Sequence, residues 1–437
     1  MGANLFSWIR SLTLAERRTL LACFGGWALD AFDVQVYSFT IPTLFSLWSI
    51  SKGQAGILAT VTLVVSAFGG WAAGTLCDRF GRLRVLQITI AWYALFTFLS
   101  GLTNNFQQLL ICRALQGLGF GGEWAAGSVL IGEVIRPEYR GRAVGMVQSG
   151  WAVGWGAAAL LYSLLFSVMP AEFAWRTLFG LGLLPALLVF WMRRYVHESP
   201  RFLERRESVR KNGGAQAWFS IFQPKYLSAT TRVALLAIGL QGGYNTVSVW
   251  LPTFLKDERR LSVINTGGFL LVLISGAFCG FLTGAHLADR IGRKRTFTVS
   301  SVGTVVMLVL YMLLPVSNEV MLFLGFPLGF FANAAFAPMG AFMTEMYPTA
   351  VRATGQGFCY NAGRGIGAVF PALVGFLGTR IPLGEAIGIL SISAYGLAVL
   401  ALLTLPETRG RILDTLEPEQ TRVLDLPESS EAFPGKF

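Results

Sequence analysis

The chain has 437 residues, of which 54% are hydrophobic and only 14% charged. Soluble domains usually carry about 25% charged residues, so an ordinary soluble fold is excluded. At about 20 apolar residues per crossing, the length suffices for roughly a dozen membrane spans. The formal charge of +11 does not indicate nucleic acid, because the basic residues fall between apolar segments.

The N-terminal stretch MGANLFSWIRSLTLAERR lacks an apolar core followed by a small-residue cleavage site. It is expected to be a retained cytoplasmic lead-in, and Phe6 breaks the myristoylation pattern. Apolar segments then follow at 20–47, 54–76, 84–103, 107–133, 142–168 and 174–195. After a polar, basic stretch at 196–231, six more lie at 232–255, 265–288, 296–315, 319–344, 355–378 and 385–405. The pattern predicts an all-α integral membrane protein of twelve transmembrane helices. Its divisions are an N-terminal bundle (1–195), a central loop (196–231), a C-terminal bundle (232–405) and a polar tail (406–437).

Orientation follows from lysine and arginine placement. Arg79, Arg82 and Arg84 follow span 2, Arg136, Arg140 and Arg142 follow span 4, and Arg290, Arg293, Lys294 and Arg295 follow span 8. The loop Asn104–Gln108 has none, and Lys256–Arg260 is of mixed charge. Both termini are therefore expected on the cytoplasmic side. Five cysteines without CxxC spacing indicate neither metal nor disulfide, and no cofactor is expected.

Span 1 contains Asp30 and Asp33, three residues apart and so on one helical face. A carboxylate near a bilayer centre costs roughly 2.5–3.5 kcal/mol, so the pair reads as a site for a proton or a cation. Other deep charges are Arg113, Glu123 and Arg364, three acids against two bases in all. Protonating one acid balances the set, which suits a proton carrier. Arg113 and Glu123 lie about 15 Å apart along one helix, so each needs a partner elsewhere. Arg113 is expected to pair with Asp30 or Asp33. No acid lies at mid-depth in the second half, so Arg364 needs a first-half acid or an anionic substrate, and its planar fork suits a carboxylate. Gln241, Tyr244, Asn245, Trp250, Asn333 and Asn361 are candidate cavity residues, with helix-to-helix hydrogen bonding the competing reading. Trp124, Trp151 and Trp155 read as packing at least as well as cavity lining. The two histidines, His197 and His286, are far apart in sequence and suggest no metal site.

The halves repeat. Gly74 to Arg82, with Asp78, Arg79, Gly81 and Arg82, recurs as Ala285 to Arg293, with Asp289, Arg290, Gly292 and Arg293. Glu133, Arg140 and Gly145 recur as Glu345, Arg352 and Gly357, at nearly the same offset of about 211–212 residues. Two six-helix halves are the architecture of many secondary transporters.

On these residues the chain resembles the major facilitator superfamily. Asp78-Arg79-Phe80-Gly81-Arg82 is similar to the family's loop between helices 2 and 3. Arg113 to Trp124 resembles the helix 4 motif of proton-coupled carboxylate carriers. Glu198-Ser199-Pro200-Arg201 and Pro406-Glu407-Thr408-Arg409-Gly410 resemble motifs shared with sugar porters. Gly26–Asp33 and Gly121–Trp124 look most like sialate and monocarboxylate proton symporters, with aromatic-acid and other metabolite proton symporters next.

The resemblance implies proton-coupled uptake of a small organic anion by a monomer in the bacterial inner membrane. In that reading Asp30, Asp33 and Glu123 couple protons, and Arg113 and Arg364 bind substrate. Asp78, Arg79, Arg82, Glu133, Arg140, Arg142, Asp289, Arg290, Arg293, Glu345 and Arg352 form a gate. Asp78 would pair with Arg142 or cap a helix, and Glu133–Arg140 and Glu345–Arg352 would be matched ionic latches. The rival is a drug or metabolite efflux antiporter, whose Gly-Pro motif in helix 5 is not matched by Gly154-Trp155. A transporter-like receptor is a third reading, and an enzyme is not indicated.

Overall fold

The computed structural model describes residues 7–136, 139–196, 198, 220–347 and 351–409, apart from some side chains within helices. Among the described residues, a short helix, Ser7–Ser11, leads into twelve long helical segments. They are α1 Leu14–Trp48, α2 Lys52–Phe80, α3 Arg82–Ser100, α4 Phe106–Val134, α5 Arg140–Val168 and α6 Ala171–Tyr195. The second half has α7 Pro224–Thr253, α8 Val263–Ile291, α9 Arg293–Leu313 and α10 Asn318–Met346. It ends with α11, in two pieces (Arg352–Gly367 and Val369–Leu377), and α12 Leu383–Thr404. No strand occurs among the described residues.

Local chemistry sets the helix ends. Thr13 and Ser51 form reciprocal capping boxes with Glu16 and Gln54, satisfying amides that the first turn leaves unpaired. Gly81 and Gly292, at φ 101° and 103°, let the chain turn from α2 into α3 and from α8 into α9 with no connecting loop. The matched pair gives the sequence duplication a structural counterpart.

Among the described residues, eight helices are apolar and long enough to cross a membrane. The others, α1, α4, α7 and α11, carry most of the buried polar side chains. Those groups face the bundle interior, where neighbouring helices replace lipid.

Helix α7 starts eight residues before its expected 232. Pro224 serves as its first residue, where a missing N–H is harmless, and its polar first turns precede the apolar run. The last part of the stretch expected as central loop, from Pro224 on, is thus helical, and most of the rest lies outside the described residues. Continuous helices were also expected at α6, α10 and α11. The first breaks around 181–184 before Pro185, the second at 335–338, and the third at Ala368, whose carbonyl accepts from Thr60 Oγ1 at 2.6 Å.

Helices α2 and α11 join the halves at the end opposite the arginine-rich turns. Lys52 Nζ donates to the Gly378 carbonyl at 2.9 Å, and Gly56 lies directly against the Pro371–Ala372 backbone. The pair stays close as far as Gly70, which faces the Asn361 side chain. At Gly357, nearer the arginine-rich end, a side chain would meet open space. Helices α5 and α8 also pack together, with Gly267 against Ser163 and Gly156 against Ile274. Within the first half, Gly150 and Gly154 bring α5 onto the carbonyls of Phe24 and Ala28 in α1.

Candidate transport site

A cavity lies between the halves, with an empty volume of about 680 Å3 including its mouth. Trp27 and Phe120 face it from the first half with Gln148 and Trp151. Gln241, Tyr244, Asn245, Asn333, Tyr360 and Arg364 face it from the second. Arg364 is the one charged residue in the lining among the described residues.

Aromatic rings form much of the wall. Trp151 packs on Trp27 with ring centres 5.0 Å apart and donates its Nε1–H to the Tyr244 hydroxyl at 2.5 Å. Tyr244 meets Phe336 edge-on at 5.3 Å. The Arg364 guanidinium is held over Phe120 at 4.7 Å and Tyr360 at 5.2 Å. It is 3% exposed, and its Nη1 has no hydrogen-bond partner. The rings thus fix the plane of the fork while leaving a donor for an anion.

Behind this wall the acids separate into two groups. The Asp30 carboxyl lies beside the Glu123 carboxyl and the Tyr93 hydroxyl, within the field of Arg364. No hydrogen bond of good geometry reaches either Asp30 oxygen or Glu123 Oε2. Gly26, one turn before Asp30, makes room for this pair, because any Cβ there would collide with Glu123 Oε1.

Asp33 belongs to a different network. Its Oδ2 accepts from Thr97 Oγ1 and from Gln116 Nε2 at 3.2 Å. Gln116 Oε1 accepts from Arg113 Nη1 at 2.5 Å, and Arg113 stacks over Tyr37 at 4.9 Å. The expected direct pairing of Arg113 with Asp30 or Asp33 is therefore corrected: Gln116 stands between arginine and aspartate. Arg113 is 1% exposed and does not line the cavity. The break in α6 serves this network, since Gly182 lies against Asp33 Oδ1 and the Thr97 methyl.

Among the amides, Gln241 and Asn333 line the cavity while donating to the carbonyls of Tyr360 and Gly329, both at 2.9 Å. Asn361 does not line it; its Nδ2 bonds its own helix at the Gly357 carbonyl, and its Oδ1 faces Gly70. Gln148, Tyr93 and Thr97 were not singled out from sequence. Polar residues on glycine- and alanine-rich helices were the available signal, too common to mark these three. The Trp124 side chain lies outside the described residues.

At the arginine-rich end three residues of the expected second gate copy come together. Arg293 pairs with Asp289 at 3.1 Å and Glu345 at 3.0 Å, and donates to the Ala288 carbonyl. Arg82 makes the equivalent bond to the Cys77 carbonyl, also at 3.0 Å. The expected Glu345–Arg352 latch is corrected. Arg352 instead donates to the carbonyls of Thr344 and Tyr347 at the C-terminus of α10, where a basic side chain is favoured. Glu198 and Glu407 occupy matching places. Glu198 accepts from the amides of Arg82 and Leu83, and Glu407 from those of Arg293 and Lys294. Each puts a negative charge at a helix N-terminus. Arg142 and Arg290 are exposed; the side chains of Asp78, Arg79, Glu133 and Arg140 lie outside the described residues, and with them the Asp78–Arg142 and Glu133–Arg140 pairings.

Two six-helix halves around a central cavity define a secondary transporter rather than an enzyme. The chain belongs to the Major Facilitator Superfamily, whose profile matches residues 23–317 and 272–427. It is 43% identical over 412 residues to a probable 4-methylmuconolactone transporter of Cupriavidus pinatubonensis, covering 94% of this chain and 95% of that one. It is 29% identical to the cis,cis-muconate transport protein of Acinetobacter baylyi, covering 89% and 94%. A crystal structure of a D-xylose-proton symporter shares the fold with a TM-score of 0.72 at 19% identity, covering 91% of this chain and 99% of that one.

Proposed function

We propose that this transporter is a proton-coupled symporter that imports a small organic acid anion by alternating access. The observation that carries the reading is Arg364: a buried guanidinium facing the cavity, held by two rings, with an unpaired donor and with Asp30 and Glu123 behind it. A carboxylate docking on the fork takes up its positive charge. The two adjoining carboxyls then lose part of the field that favours their ionised forms, and a proton shared between them restores neutrality. Substrate and proton thereby bind together. Asp33, already hydrogen-bonded by Thr97 and Gln116, acts as a fixed partner of Arg113 in this scheme. The muconate and muconolactone in the relatives' names agree with an organic acid as cargo.

The arginine-rich end faces the cytoplasm of a bacterial inner membrane in this reading, with both termini inside and the protein a monomer. The α2–α11 contact then closes the outer side, and the parting of these helices opens the inner side. Asp289, Arg293 and Glu345 belong to the gate that regroups when the carrier turns outward.

Uptake into proteoliposomes under an imposed pH gradient tests the proposal. A mono-anion carried with one proton is electroneutral, so one pH unit sustains about tenfold accumulation and a membrane potential adds nothing. The panel comprises sialate, lactate, benzoate-like acids and sugar acids. If none responds to the gradient, the reading fails; uptake driven by protons leaving the vesicle, with the inside more acidic, identifies an antiporter instead.

A further inference from the structure

A small pocket adjoins the central cavity on its second-half side and shares Tyr244, Ser248 and Asn333 with it. Three polar atoms of residues lining this pocket have no hydrogen-bond partner: the indole Nε1 of Trp155, the amide Oδ1 of Asn333 and the hydroxyl of Tyr395. They come from α5, α10 and α12, and each residue is at most 1% exposed. The remaining polar groups of the lining are occupied. Asn333 Nδ2 donates to the Gly329 carbonyl, which leaves Oδ1 as the atom in need. Thr304 donates to Ser300 at 2.8 Å, Ser248 to Asn245 at 3.4 Å, and the Tyr244 hydroxyl receives Trp151. The rest of the wall is apolar, with Val247, Leu273 and Leu328.

Buried polar groups without partners are uncommon, and three around one pocket call for a shared explanation. Trp155 offers only a donor, Asn333 Oδ1 only an acceptor, and Tyr395 either. A carboxylate would set its oxygens against Asn333 Oδ1, and an ammonium would leave the indole N–H unmet. A hydroxyl accepts from the indole and donates to the amide through one oxygen. Arg364 stands apart from this pocket, on the wall formed with Phe120 of the first half. The two sites are thus a cationic end and an amphoteric end, with aromatic rings between.

We infer that the pocket is a hydroxyl subsite of the transport site, and that the substrate is a ring-bearing monocarboxylate carrying a hydroxyl group. Its carboxylate meets Arg364, and its hydroxyl lies among Trp155, Asn333 and Tyr395. This rests on the carboxylate reading of Arg364 given above and goes beyond it in naming the second group recognised.

The test is calorimetric binding to the purified full-length protein in detergent. The probes are benzoate and 3-phenylpropionate, each compared with its three ring-monohydroxylated isomers. At least one isomer should bind about tenfold or more tighter than its parent, since a site built to hydrogen-bond a hydroxyl discriminates against the analogue lacking it. Trp155→Phe, which keeps an aromatic ring but removes the N–H, and Asn333→Leu should each bring that ratio to about one. Melting curves identify any variant that fails to fold, and the other then decides. If the parent acids bind and no hydroxylated isomer gains, the pocket holds a resident water only and the subsite is overturned while the carboxylate reading stands. A gain that survives in a folded variant overturns it equally. If neither these acids nor the wider carboxylate panel binds, both readings fall together.

Discussion

Replacing Arg364 with alanine removes the only charged group among the described residues lining the cavity. Its unpaired Nη1 provides at least one charge-assisted hydrogen bond to a carboxylate, worth about 1.5–3 kcal/mol. At about 1.4 kcal/mol per decade, the affinity for a carboxylate should fall roughly 10- to 150-fold. Arg364→Lys keeps the charge but loses the flat fork stacked on Phe120 and Tyr360, so its loss should be intermediate. Benzoate and its neutral amide, benzamide, form the informative pair of ligands. Calorimetry on the purified protein should show a large loss for the acid and little change for the amide. Melting curves establish that the variants remain folded. The reasoning is refuted if acid and amide weaken equally, or if the folded alanine variant binds the acid as wild type does.

Asp30→Asn and Glu123→Gln should each abolish gradient-driven accumulation, from about tenfold per pH unit to none, while counterflow exchange persists; proteoliposome uptake separates the two. Asp33→Asn should instead lower the melting temperature, because it disturbs the Thr97–Gln116–Arg113 network. Gly121→Val should cost at least about 1–3 kcal/mol by overpacking, since its backbone lies directly against Ser66 and Gly70, and detergent melting curves should show a clear drop. Glu407 gives a pH prediction. Partial burial opposes its charge, but backbone N–H groups from Arg409, Arg293, Thr408 and Lys294 outweigh that and hold the carboxyl below its ordinary range. Its contribution is therefore present at neutral pH and is lost as pH falls through the lowered value of the folded state. Hydrogen exchange at the start of α9 should accelerate in that acid window, and Glu407→Gln should show the faster exchange already at pH 7.

Much of the architecture was legible in the sequence because it rests on local signals. Apolar run length sets the spans, and helix boundaries moved mainly where Pro224 and the polar first turns of α7 extended a helix beyond its apolar run. The duplicated Asp-Arg-x-Gly-Arg turns appear as two glycines of nearly equal positive φ and two arginines bonded to equivalent carbonyls. The deep charges and Arg364 were evident as costs that burial in lipid cannot sustain.

What the sequence could not determine is how each helix is rotated about its own axis. In α1 nearly every residue from Asp30 to Leu44 is buried, so no polar face indicates which neighbour each aspartate meets. Only the packing puts Asp30 beside Glu123 and Asp33 among Thr97 and Gln116, because Gly26 and Gly182 leave space there and bulkier residues do not. It also sends Arg113 away from the cavity, turns Asn361 toward Gly70 and pairs Glu345 with Arg293 rather than Arg352. Hydropathy and spacing determine that a helix crosses the membrane and which charges it carries. Which charges touch is decided by close contacts between helices distant in sequence.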